Sequence, residues 1–117
     1  MFISIARMHH IRNITKLRRL KQFAVTASVS GFVKTGRPGV LVFDGKKDCI
    51  KAFLENARSL RYLDFHHVHT IPLNTELRIA GSQVGLCEVQ DMTALIQALD
   101  RLDLKHWFRV QMGMDKG

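Results

Sequence analysis

From Phe2 to Met8 the side chains sort into two faces with the two-residue period of an extended chain, Phe2, Ser4, Ala6 and Met8 on one and Ile3, Ile5 and Arg7 on the other. That pattern predicts a first strand. Asn13 is placed to cap a helix from Ile14 to about Ser28, in which Ile14, Leu17, Leu20, Ala24 and Ala27 form an apolar stripe and Thr15, Arg18, Arg19, Gln22 and Thr26 face away. Ser30 to Thr35 reads as a short second strand, Gly36-Arg37-Pro38-Gly39 as a tight turn, and the apolar run Val40-Leu41-Val42-Phe43 as an interior strand ended by Asp44-Gly45. The helical period returns in Lys47 to Leu60 through Ile50, Phe53, Leu54, Ala57 and Leu60. A fourth strand follows from Tyr62 to about Ile71, limited by Pro72.

Strand, helix, strand, strand, helix, strand is the order of two split βαβ units. It predicts an α+β, ferredoxin-like βαββαβ domain: an antiparallel sheet in the order 4-1-3-2 with two helices on one face. Residues 1–73 would hold this core. Residues 74–117 would add a connection and a packed strand-helix extension: weak signals over Asn74 to Gln83, a strand from Val84 to Val89, a helix from Met92 to about Leu102 capped by Asp91, and a short amphipathic turn from Leu104 to Val110 carrying Trp107 and Phe108. At 117 residues with 46% hydrophobic residues, the chain is sized for one compact domain.

Charge changes this picture in one place. Between Arg7 and Arg37 there are eight Lys or Arg residues and no Asp or Glu, whereas residues 38–117 carry ten of each sign. The net charge of +8 therefore belongs to the first third of the chain, on predicted helix, strand and turn. A basic surface on a folded frame points to a polyanionic partner. Cys49 and Cys87 lack metal-ligand spacing and are expected to be buried free thiols in a reducing compartment. The start, MFISIARMHH, is a poor secretory signal, and no apolar run reaches the length of a membrane span, so an intracellular setting without membrane attachment is expected.

The chemistry-bearing residues give no catalytic constellation. Ser28 and Ser30 lack a nucleophile elbow, neither cysteine sits beside an activating base, and Gly36-Arg37-Pro38-Gly39 joins two strands instead of feeding a helix. His9-His10 and His66-His67-Val68-His69 fall on strands expected to be neighbours, but adjacent strand residues point to opposite sides and no companion ligands have metal spacing. No metal or cofactor is expected. An RNA-recognition motif is disfavoured because Val40 to Phe43 holds one aromatic and Gly31-Phe32-Val33 lies on the strand expected at the edge. Phosphate contact is the better account, through Arg12, Lys16, Arg18 and Arg19 with support from Lys34 and Arg37, and with His9, His10 and Asn13 where the first strand turns into the basic helix. The rival is a protein-interaction module using an exposed sheet face or the Trp107-Phe108 tail.

The succession His9-His10-Ile11, Asn13, Thr15, Lys16, Arg18, Ser30-Gly31-Phe32, Gly36-Arg37-Pro38-Gly39-Val40 and Asp44-Gly45, with Asp91 to Gly113, resembles a known family. It is similar to the C-terminal domain shared by the splicing protein Prp3 of the tri-snRNP and by RWD-domain-containing proteins, long described as a domain of unknown function. The resemblance covers essentially the whole chain. It implies a ferredoxin-like fold with a C-terminal extension and no catalysis. For the splicing member it implies recognition of duplex RNA with a single-stranded end, hence an RNA or ribonucleoprotein partner and a nuclear setting. The residues carried over are His9, His10, Asn13, Thr15, Lys16 and Arg18. The sequence departs from the family at Arg12, where an aromatic is frequent, and near Leu17, where a basic residue is.

Overall fold

The computed structural model describes residues 1–73 and 83–114. Strands β1 (Phe2–Met8), β2 (Ser30–Lys34), β3 (Gly39–Gly45), β4 (His66–Pro72) and β5 (Gly85–Val89) form one sheet in the order β4-β1-β3-β2-β5. Helices α1 (Ile14–Thr26) and α2 (Lys47–Arg58) belong to the two split units, and α3 (Met92–Asp100) and α4 (Lys105–Gln111) follow β5. The expected 4-1-3-2 order is present, with antiparallel pairing of β1 to β3 and β4 and of β2 to β3. The fifth strand runs parallel to β2, so β2 is an interior strand and not the edge that the sequence suggested.

Strand faces explain why both sides of the sheet are covered. Ala6, Met8, Leu41 and Phe43 point into one core with Leu20 and Ala24 of α1 and Ile50, Phe53, Leu54 and Ala57 of α2. Ile3, Ile5, Val40 and Val42 point into a second core with Leu95 and Leu99 of α3 and Phe108 of α4. A central strand apolar at every position from Val40 to Phe43 fits only between two layers. That is the reason β3 is buried from end to end.

Three local expectations are corrected by this packing. Ile14 is 72% exposed, because the apolar stripe of α1 meets the core only from Leu17 onward. The segment from Tyr62 to Phe65 is a turn and not part of β4, with Arg61 and Asp64 in the left-handed region at φ 56° and 57°. Cys87 is exposed because β5 lies at the sheet edge, while Cys49 is partly buried, and both thiols are free. The Asn74 to Gln83 connection lies, except for Gln83, outside the described residues. Asn13 does cap α1, its Oδ1 accepting the Lys16 N–H at 3.0 Å, and Asp91 caps α3 in the same way through the Ala94 N–H at 2.7 Å.

No helix among the described residues is long and apolar enough to cross a membrane.

Candidate nucleic-acid interface

Four chain segments meet at one end of the sheet: the exit from β1, the start of α1, the β2–β3 turn and the α2–β4 loop. Backbone hydrogen bonds fix the meeting. Ile11 and Gly36 exchange N–H to carbonyl bonds of 2.9 and 3.0 Å, which draws the turn against the β1–α1 connection. The His9 N–H donates to the Leu63 carbonyl at 2.8 Å, which pins the α2–β4 loop from the other side. Gly39 permits this closeness, since a Cβ there would lie 2.5 Å from Ile11 Cγ1 and 2.9 Å from Met8 Cγ.

Two grooves flank the His9-to-Leu63 rung. The larger, about 570 Å³, runs past Arg7, His9, Arg37, Asp64 and His66. The smaller, about 180 Å³, is lined by His10, Arg12, Asn13, Lys16, Arg61, Tyr62 and Leu63. Between them the histidine rings of His9 and His10 stand edge to face with centroids 5.1 Å apart. His9 Nδ1 lies 3.9 Å from Asp64 Oδ2, the carboxylate at this end that offsets part of the positive charge. The pKa of His10 is pulled below its ordinary value by partial burial and by the charges of Arg12, His9, Arg37 and Lys16 acting on it together. Residues from the β1–α1 connection, α1 and the turn thus act on one imidazole. The first turn of α1 carries no acidic residue, so its free N–H groups add to the same positive field.

The structure brings His9, His10, Arg12, Asn13, Lys16 and Arg37 together as the sequence suggested. Arg18 and Arg19 line neither groove and stand on the exposed side of α1, about 8 Å farther along the helix axis from Asn13. Lys34 does not belong to this surface. It is only 6% exposed and its Nζ donates to the Pro38 carbonyl at 2.9 Å. Burial lowers its pKa and the Asp91 carboxylate acts in the opposite direction. Its role is to brace the turn that carries Arg37. Lys21 is likewise engaged elsewhere, 3.2 Å from Glu88 of β5. The basic first third therefore contracts to a patch at the start of α1.

Sequence reasoning missed Arg7, Arg61 and His66 as groove residues. The signal for His66 was available in the strand order, because Arg7 and His66 are cross-strand partners in β1 and β4. Arg61 was hidden by extending the strand through Tyr62. Tyr62 itself is 8% exposed, packs in the core under α1 and α2, and has its phenol pushed up to about 12 by burial. Lys16 Nζ stands 5.3 Å from the centre of its ring, a cation–π contact that holds the lysine over the groove.

His67 and His69 are structural. Val68 has no partner in the β1–β4 register, a bulge that resets side-chain alternation. His67 Nε2 consequently meets Thr70 Oγ1 at 2.6 Å, and Thr70 Oγ1 lies 2.8 Å from the buried Ser4 hydroxyl. Burial, with Arg58 and the neighbouring histidines, keeps the His67 pKa low. His69 Nδ1 accepts the Trp107 indole N–H at 3.0 Å, so its Nε2 carries the ring proton in the neutral form. Among the described residues no group of three or more His, Cys, Asp or Glu side chains is arranged to hold a metal ion.

No protein-family model matches the chain. Among solved structures it is similar to BlsA in its photo-activated state, at 11% identity and a TM-score of 0.56, over 92% of this chain and 82% of that one. It is also similar to a bacterial light-regulated adenylyl cyclase, at 9% identity and a TM-score of 0.53, over 97% of this chain and 36% of that one. At these identities the likeness is one of fold. The light responses named for those two proteins are theirs.

Proposed function

We propose that this chain is a non-enzymatic RNA-binding or ribonucleoprotein-associated domain that holds the phosphate backbone at the basic end of its sheet. The observation that carries the reading is the meeting of Arg12, Lys16 and Arg61 with His10 around one groove, and of Arg7 and Arg37 around the groove beside it, residues of segments distant in sequence. Arg and Lys groups around a groove at a helix start suit a row of phosphates, and imidazole and Asn donors suit the oxygens between them. The resemblance to the Prp3 and RWD-protein C-terminal domain rests on the same residues and points the same way, toward a splicing-related, nuclear role.

Of the surfaces named for the rival reading as a protein-interaction module, both sheet faces carry helices and Phe108 is fully buried, while Trp107 is partly exposed with its N–H donated to His69. The test is a fluorescence-anisotropy titration of labelled duplex RNA bearing a single-stranded extension, at low salt. The intact chain binds, and reversing Arg12, Lys16, Arg18 and Arg19 to Glu removes most of the affinity. Absence of binding, or binding indifferent to the reversal, contradicts the proposal.

A further inference from the structure

The basic end also holds the most exposed apolar side chains of the described residues. Ile14 is 72% and Leu63 62% exposed, against 53% or less for every other large hydrophobic residue. Ile14 follows the capping Asn13, and Leu63 forms a wall of the smaller groove with Arg12, Lys16 and Arg61. Leu63 is held there by its backbone. Tyr62 is anchored in the core, Arg61 and Asp64 on either side are left-handed, and the Leu63 carbonyl is tied to β1 through His9. The left-handed region is unfavourable for residues other than glycine, least so for Asp and Asn. Two left-handed residues within four residues of chain turn an apolar side chain outward among cations.

A ligand that offers charge alone has no part to place on a leucine. Sulfated polysaccharide, polyphosphate and the outside of a base-paired duplex are ligands of that kind. An unpaired nucleotide offers an apolar base face and a phosphate on either side of it. Resting on the nucleic-acid reading of this surface, we infer that Leu63 is the seat of an unpaired base. The Arg12–Lys16–Arg61 groove and the Arg7–Arg37 groove take the flanking phosphates. An anionic lipid surface also combines charge with apolar matter, but it is met by side chains that project beyond their surroundings. Leu63 instead lines a groove walled by cations.

The experiment measures the intact chain, Leu63→Ser, Leu63→Gln and the Arg12→Glu/Lys16→Glu pair against three probes. These are a labelled single-stranded RNA oligonucleotide, heparin, and phosphatidylserine/phosphatidylcholine vesicles. Both Leu63 variants should weaken oligonucleotide binding by about 3- to 10-fold, at or just below the low end of the loss when an aromatic base platform is removed, since leucine offers no ring to stack on. Heparin binding should stay unchanged, while the charge pair weakens both. Because Leu63 is exposed, the melting temperature of both variants should match that of the parent. Equal loss for heparin and oligonucleotide, or no loss for either, overturns the base seat while the phosphate reading survives in the charge pair. Vesicle binding that falls with Leu63 while oligonucleotide binding does not also overturns it, in favour of a lipid surface. Failure of the parent chain to bind oligonucleotide and duplex alike removes the underlying reading itself.

Discussion

His10 shows how much of the account lies in single side chains. Partial burial and four neighbouring cationic or imidazole groups favour its neutral form. A bound polyanion reverses the sign of that field and favours the protonated form. Binding is then accompanied by proton uptake, and by linkage the affinity rises as pH falls toward the depressed pKa of the free protein and levels off below it. An RNA affinity that increases between about pH 7.5 and 5.5, with the increase reduced in His10→Ala, is the expected result of anisotropy titrations across that range. Gly31 makes a different point at the same scale. A Cβ there would collide with the Val42 carbonyl oxygen and lie 2.6 Å from Phe43 Cα, both rigid backbone atoms of β3. Gly31→Ala must push β2 away from β3, with an expected loss of about 2–4 kcal/mol in urea unfolding, on the scale of a severe overpacking change. The sequence carried the residue types at these positions, but neither a charge count nor a turn rule shows which cations remain available. Lys34 and Arg37 lie three positions apart, yet one braces the turn and the other stands exposed on it.

At the scale of elements, β1, α1, β3 and α2 were legible because their apolar periods are unambiguous and Asn13 and Asp44-Gly45 punctuate them. The loop from Arg61 to Phe65 was not, because Tyr-Leu-Asp-Phe-His alternates like a strand while left-handed residues at Arg61 and Asp64 break it. That loop supplies a wall of both grooves, so the least legible element is also part of the candidate site. The position of the extension was equally hidden. Parallel pairing of β5 to β2 is a long-range choice that local period does not encode, and it delivers α3 and α4 to the face of Ile3, Ile5, Val40 and Val42. Phe108 of α4 is fully buried there. Phe108→Ala should cost about 3–5 kcal/mol by the measure of large-to-small core changes, read from the midpoint of denaturant unfolding. For the same reason residues 1–73 alone should not give a cooperative transition, since that fragment leaves the second core uncovered. A sharp, native-like melt of the fragment in circular dichroism would contradict this assignment of the extension.

Over the whole molecule, β1 and β3 contribute alternate residues to both cores, which joins the two helical layers through the sheet. The fold class expected from the order of elements, a ferredoxin-like core with a C-terminal strand-helix extension, is the one observed, the extension being β5, α3 and α4. With both faces of the sheet covered, its end becomes the place where charge, grooves and exposed apolar side chains coincide. Polyanion binding there predicts a linear fall of log affinity with log salt, whose slope lessens by roughly one for each phosphate-contacting cation removed. The most direct test of the central claim is an amide chemical-shift map of the isotope-labelled chain titrated with duplex RNA bearing a single-stranded extension. The largest shifts should fall within residues 7–19, 36–38 and 61–66. Shifts concentrated on α3, α4 or the β5 edge, or no shifts at all, would contradict it.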